Sequence, residues 1–502
     1  MELISAFSQS DLSAEAVSPR EVPLQSCGWG MAAVDLNNDG ETDLVQLGPT
    51  DRMWPLVNTN GVLAPSREIT FGGGPMPAGN GIGVGDMNND GLPDLVVVRS
   101  QGTPDLIYWN SGDGTFVEEE LKLSTAESQH ATLFDADLDG DLDLYVSRHI
   151  DVRDYQILDV MAGTTRGNEN GFYRNINGVL TPESMGVVAD GASFQAVPID
   201  ADQDGDLDLY VLNDFGMFIE PNQLLVNDGA GHFSSASDCQ CDLEIYAMGG
   251  SVGDFNNDGI ADLHVTNFGT PRTLMGMGDG SFVDATAAAG TLLVADGTRS
   301  ASWGTLFVDL DQDGWEDILT AYGPVIIGTT EDWTQGIDHP TVAGWNEIPS
   351  QPDSFLRNLG GFFEEQAPVL GLDVPRASRA IVKADFNGDG MPDIAVSSYA
   401  SAIQQEVRVY QGAAGCGPGI TVAFPERGGR DVGTRIEWTV DGREYTRWFQ
   451  PGTTYSASGP SVHLGLGGHA AAEVVRITPL GGEPTEWVDL PAGSRIDQRS
   501  YQ

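Results

Sequence analysis

The sequence predicts an all-β protein: a seven-bladed β-propeller over residues 1–415, then a small β domain over residues 416–502. Three observations carry this expectation. The pattern D-x-[DN]-x-D-G-x-x-D, followed by an apolar run, occurs seven times, beginning at Asp35, Asp86, Asp135, Asp200, Asp254, Asp309 and Asp385. The spacings are 51, 49, 65, 54, 55 and 76 residues, a period that marks a solenoid or a propeller. The 64 glycines and 27 prolines imply many turns and few long helices.

Each repeat is expected to hold four short strands, one blade. In the second repeat GIGVGD (81–86) reads as the inner strand and DLVVV (94–98) as the next, with the acidic loop joining them. LIYWNSGDGTF (106–116), GFYRNINGVL (171–180), LLVNDGAGHF (224–233), LMGMGDGSF (274–282) and FLRNLGGFF (355–363) read as hairpins between outer strands, most with an aromatic to pack between blades.

The loops carry the chemistry. Positions one, three, five and nine supply Asp35, Asn37, Asp39 and Asp43; Asp86, Asn88, Asp90 and Asp94; Asp135, Asp137, Asp139 and Asp143; Asp200, Asp202, Asp204 and Asp208; Asp254, Asn256, Asp258 and Asp262; Asp309, Asp311, Asp313 and Asp317; Asp385, Asn387, Asp389 and Asp393. The position-seven carbonyl would add an oxygen, and the glycine at position six bends the chain back. Crowded oxygens in a flexible loop suit Ca2+, up to seven ions; Mg2+ demands a tighter octahedron, and His or Cys for a transition metal is missing from these loops. The loop starts like an EF-hand but lacks its position-twelve Glu, where the first repeat has Gln46, and strands follow instead of helices. A single such turn would be a solvated Asx-turn; seven at matching spacing are a cation-binding design.

These loops resemble the FG-GAP/VCBS family of integrin-like repeats. The resemblance implies a seven-bladed propeller with calcium in the acidic loops, the residues named above inheriting the ligand role. GGRDVGTRIEW (428–438), YTRWFQPGTTYSASGPSVHLGLGG (445–468) and VVRITPLGGEPTEW (474–487) resemble the ASPIC/UnbV domain, which follows such propellers in cartilage-acidic-protein-like proteins and also occurs with natural-product gene clusters. The match departs at Arg430-Asp431. Alternation in TRIEWTV and AEVVRITPL independently suggests a small β domain, joined through the glycine-rich QGAAGCGPG (411–419).

A net charge of −50 argues against nucleic acid or anionic lipid as partner and fits either a highly soluble surface or cation binding. Four cysteines, Cys27, Cys239, Cys241 and Cys416, read as buried thiols, with one or two disulfides the alternative. No apolar run reaches 18 residues, and the start lacks the basic and apolar regions of an export signal. A secreted or periplasmic protein whose signal has been removed is expected, a cytoplasmic one being the alternative.

Aligning the inner strands on their first Asp, six residues upstream lie Trp29, Asn80, Gln129, Phe194, Met248, Trp303 and Arg379, with His130 five upstream in the third repeat. They should converge near one end of the channel. Apolar walls with few polar points suit a small-molecule pocket, where His130 and Arg379 would move a proton or hold an anion. The competing reading is that these side chains plug the channel. Two insertions, 148–171 and 322–354, are longer than hairpins need; the second holds Asp332, Trp333, His339 and Trp345 and would form a lid or decorate the outer blade. No nucleophile elbow, zinc-protease or P-loop motif is present. The sequence therefore points to a calcium-stabilised recognition module for a protein, a glycan or a surface. The alternatives are a cofactor-free cyclase- or isomerase-like enzyme of secondary metabolism acting on an apolar small molecule, and a calcium-bridged structural or adhesion protein.

Overall fold

The computed structural model describes residues 2–8 and 30–498, apart from 49–52, 73–78, 100–102, 122–125, 151–158, 293–300, 324–350, 402–403 and 413–416 and positions 161, 188, 418 and 426. Trp29, Cys27, Cys416 and the Asp332–Trp345 stretch of the second insertion lie outside the described residues.

Seven antiparallel sheets follow one another along the chain; six have four strands in sequence order at their heart, and the seventh has three. In each, a first strand runs into an acidic loop and pairs with the strand that leaves it. The register is constant: the residue before the first Asp faces the ninth-position Asp, as in Val34↔Asp43, Phe134↔Asp143, Ile199↔Asp208 and Ala384↔Asp393. The apolar second strands, such as Asp94–Arg99 and Asp143–Arg148, are buried along their whole length. They fill the space between neighbouring sheets, where Val96, Val98, Leu133, Leu144, Leu209 and Val211 join one core. Each such side chain contributes about 1.5–3 kcal/mol by leaving water.

The first strand of every sheet packs against that of the next, and Ala377–Ala384 of the seventh sheet packs against Met31–Val34 of the first. Strand Glu2–Ser8 supplies the outermost strand of the seventh sheet by pairing with Gln404–Gln411. First and last segments of the repeat region thus share one sheet.

The C-terminal residues form two further sheets around Val422, Ile436, Trp438, Leu464, Val475 and Ile477. The expected alternation is present: in Arg435–Val440 every second residue is buried. What the sequence did not suggest is a two-strand hairpin, Gly452–Thr453 and Ser456–Ala457, that leaves this domain and joins the first repeat sheet.

Cys239 and Cys241 are joined as a disulfide, which corrects the buried-thiol expectation for this pair.

Candidate metal loops and the hairpin among the first strands

The acidic loops share a scaffold. Position-nine Asp is buried in all seven, and both its oxygens accept backbone N–H groups. In loop 3, Asp143 takes Ala136 N at 3.1 Å and Asn175 N at 2.7 Å; in loop 4, Asp208 takes Ala201 N at 3.2 Å and Asn227 N at 2.9 Å. Position-five Asp accepts the position-seven N–H, as Asp90 does from Leu92 at 3.0 Å. In six loops position-one Asp accepts the N–H groups of position five and of the glycine; Asp86 takes Asp90 N at 3.0 Å and Gly91 N at 2.8 Å. Position four is left-handed in every loop, with φ of 58° at Asn38, 61° at Leu138 and 70° at Gly388. That conformation turns the loop back on itself and favours the Asn or Gly found in four of the seven.

Position three divides the loops into two kinds. Where it is Asn, the amide closes a ring with position five: Asn88 Nδ2 donates to Asp90 Oδ2 at 3.0 Å and Asn88 Oδ1 accepts Asp90 N at 3.0 Å. Asn37, Asn256 and Asn387 do the same. Where it is Asp, carboxylates converge. Asp135, Asp137 and Asp143, then Asp200, Asp202 and Asp204, then Asp309, Asp311 and Asp313 each bring three ligand oxygens within 4.8 Å of one another. Asp137 Oδ1, Asp200 Oδ1 and Asp311 Oδ1 are buried without a hydrogen-bond partner. An orphaned buried carboxylate oxygen is costly unless a cation completes it, so these residues fit a hard cation. Burial pushes Asp143 up to about 7 and Asp208 and Asp309 up to about 8.

Sequence reasoning missed a ring of asparagines in the third strands. Asn58, Asn175, Asn227 and Asn358 each present their N–H to the ninth Asp and donate their amide to two carbonyls, one in the preceding sheet's loop. Asn58 reaches Phe386 O at 2.6 Å and so ties the first sheet to the seventh loop. The signal was visible as the N-x-G and N-G turns of the quoted hairpins, but it read only as turn chemistry.

The C-terminal domain sits on the acidic-loop side. Residues 416–502 hold eight of the chain's 24 basic residues, all arginine. Arg447 forms a buried ion pair with Glu316 at 3.2 Å and donates to Gly314 O at 3.0 Å, while Glu316 accepts Asp254 N at 2.9 Å. One arginine thereby links loops 5 and 6 to the domain.

The hairpin runs into the ring of first strands. Ile82 N donates to Tyr455 O at 2.9 Å, Thr453 Oγ1 to Ile381 O at 3.0 Å, and Thr454 Oγ1 to Gln195 Oε1 at 3.0 Å. A Cβ at Gly30 would lie 2.0 Å from Tyr455 O, and one at Gly249 would lie 1.9 Å from Thr454 Oγ1, so glycine is required for the approach. Tyr455 packs on Phe194, Met248 and Trp303. The expected lining of a pocket is therefore filled. Asn80 donates to Ser128 O at 2.7 Å, and Gln129 Nε2 to Glu127 at 3.4 Å. His130 donates from Nε2 to Thr453 O at 2.9 Å, and burial lowers its pKa to about 4. Arg379 lies over the Trp303 ring at 4.0 Å and donates to Ser378 O at 3.0 Å. Both candidate catalytic side chains are buried and engaged with the scaffold. A register shift in the first strand coincides with Asn80, Gln129, Phe194, Met248, Trp303 and Arg379, re-aiming these positions.

A family model for FG-GAP-like repeats matches residues 35–97, 86–146, 200–265 and 254–320, and one for ASPIC and UnbV matches residues 428–499. No curated protein matches the chain. Among solved structures, an Agrocybe aegerita lectin that recognises non-reducing terminal N-acetylglucosamine is 17% identical over 67% of this chain and 79% of that one, with a TM-score of 0.43. BBS1N in complex with ARL6DN is 10% identical over 82% and 97%, with a TM-score of 0.45. Trypanosoma rangeli sialidase is 13% identical over 76% and 59%, with a TM-score of 0.36. Likenesses this loose assign neither ligand nor activity. The repeat geometry and the two family models agree: this chain is an FG-GAP repeat protein with a C-terminal ASPIC/UnbV domain, an architecture consistent with that of cartilage-acidic-protein-like proteins.

Proposed function

We propose that this chain is a calcium-stabilised, seven-bladed propeller that works as a recognition module for a protein or glycan. Residues 1–415 would form the ring and residues 416–502 a domain that caps its acidic face and plugs its channel. The strand-to-strand packing that returns from the seventh sheet to the first supports closure. Convergent carboxylates with orphaned buried oxygens support a cation in the loops, and oxygen-only ligands favour Ca2+. A bound Ca2+ would neutralise the loop carboxylates; the chain's own backbone N–H groups and asparagines hold those carboxylates in place.

The observation that carries the recognition reading is Tyr455 packed among Phe194, Met248 and Trp303. It fills the channel end where a substrate would have to bind, which leaves the outer surfaces for a partner. In chain length the connections between second and third strands are longest in the third and sixth sheets, and their length suits that role. The Cys239–Cys241 disulfide favours an oxidising compartment, outside the cytoplasm.

The test is a glycan array and a partner capture with the full chain in millimolar calcium and again in chelator. Calcium-dependent retention of a defined glycan or protein is expected. Turnover of an apolar small molecule that disappears in folded His130→Ala and Arg379→Met variants would overturn the reading in favour of an enzyme.

A further inference from the structure

We propose that the seven loops are unequal calcium sites: Arg174 and Arg357 are built-in counter-cations for loops 3 and 6, and loop 4 binds calcium most tightly. This rests on the calcium reading above. Loops 1, 2, 5 and 7 carry three Asp and one Asn at the four side-chain positions. Loops 3 and 6 carry four Asp, and each also receives an arginine from the third strand of its sheet. Arg174 Nη1 lies 3.0 Å from Asp137 Oδ2 and 3.0 Å from Asp143 Oδ2. Arg357 Nη2 pairs with Asp311 and lies 3.6 Å from Asp313 Oδ2. Counted over the four side-chain positions and the arginine beside them, six loops settle at three negative charges, Arg174 also reaching Glu183 Oε2 at 3.2 Å outside the loop.

Loop 4 does not. Its four positions are all Asp, and Val226 stands where Arg174 and Arg357 stand, immediately before the buried asparagine. A fifth carboxylate, Asp206, is 6% exposed and its Oδ1 has no hydrogen-bond partner. Extra acids in other loops are engaged elsewhere: Glu41 accepts Asn60 N at 2.8 Å, Asp141 accepts Asn177 N at 2.6 Å, and Glu316 pairs with Arg447. Among the described residues no basic side chain pairs with Asp200, Asp202, Asp204, Asp206 or Asp208. In loop 4 Asp204 N also turns to Asp202 Oδ1 at 3.3 Å, which leaves Asp200 Oδ1 orphaned. Affinity for Ca2+ rises with the number of ligand charges and falls with a cation beside them.

Calcium titrated calorimetrically into the chelator-stripped full chain tests this. Wild type should show a tightest class of one site. Val226→Arg, which installs the missing cation, and Asp202→Asn, which removes a charge, should each weaken that class at least tenfold. Arg174→Met should tighten a second site by at least tenfold. If Val226→Arg does not fold, Asp202→Asn decides alone. A tightest class unchanged by Asp202→Asn, or a site weakened by Arg174→Met, overturns the proposal. Seven equal sites in wild type overturn the hierarchy alone, and no bound calcium overturns the calcium reading itself.

Discussion

Loops 2 and 4 obey one nine-residue pattern yet are held together by different forces. In loop 2 the Asn88 amide both donates and accepts, so it stitches Asp86–Asp94 into a turn that needs no ion to satisfy position three. In loop 4 Asp202 can only accept. Its carboxylate faces Asp200 and Asp204, and the loop is left with orphaned oxygens on Asp200 and Asp206. A single O-for-NH2 exchange therefore separates a turn that is a fold element from one that is unfinished without a cation. Asn loops satisfy themselves; on the proposed calcium reading, Asp loops would make stability depend on the cation supplied.

The largest effect should come from removing the ion. Stripping calcium from the full chain at neutral pH should lower the Tm by about 10 °C or more. The pH dependence of the stripped protein checks the cause. Burial pushes Asp94 and Asp208 up to about 8 and Asp143 up to about 7. A carboxyl whose folded pKa lies above its unfolded value of about 4 weakens the fold once ionised, with no penalty below pH 4 and a growing one up to about pH 8. The stripped protein should thus become more stable as pH falls from 8 to 5, while the calcium-loaded protein should lose part of its advantage as protons compete for the ligands. A stripped Tm that drops steadily on acidification would remove these carboxylates as the cause.

A smaller effect separates sheets that are tied across from those that are not. Asn227 donates its amide to Ala136 O at 2.8 Å in the preceding loop and to Leu207 O at 3.2 Å in its own. Among the described residues the Asn110 amide donates to Pro93 O alone, at 3.1 Å. Asn227→Ala should cost about 2–3 kcal/mol and Asn110→Ala about 1 kcal/mol, since each buried carbonyl left unpaired loses its hydrogen bond. Equal losses in denaturant melts would mean that the cross-sheet bond adds nothing. Smaller again are the position-three exchanges. In chelator, Asp202→Asn should stabilise and Asn88→Asp should destabilise, each by about 1 kcal/mol, and calcium should reverse both signs.

Most of the repeat region was readable because it is periodic. Seven copies of one pattern fix the strand–loop–strand register, and apolar runs such as Leu95–Val98 fix which strands are buried on both faces. The alternation of Arg435–Val440 likewise announced the C-terminal sheet. What was not readable is what occurs once. Tyr455 packs on Phe194 from a segment more than 250 residues away in sequence, and no local pattern encodes that meeting. The bulges at the upstream ends of the first strands are equally silent, because a residue count assumes regular pleating. The double role of the ninth Asp was half legible: its acidity suggested a ligand, while its two backbone partners come from the loop and from a strand across the sheet.

The smallest prediction concerns position four, where the chain turns left-handed. Asn38, Asn89 and Asn257 accept that conformation readily; Leu138 holds it with φ of 61°. An aliphatic residue there costs about 1 kcal/mol relative to Asn. Leu138 has an offsetting contact: it packs against the core cluster around Phe134, and a Cβ at Gly481 of the C-terminal domain would lie 3.6 Å from its Cδ2. Strain in loop 3 is thus balanced by attachment to the domain that caps it. The two opposite exchanges should then differ. Asn38→Leu, at an exposed position, should lose about 1 kcal/mol, whereas Leu138→Asn, at a half-buried one, should change stability by less than about 0.5 kcal/mol, because relief of strain and loss of contact cancel. A clear gain on Leu138→Asn in denaturant melts would show that the contact with the cap contributes nothing, and that the leucine is only strained.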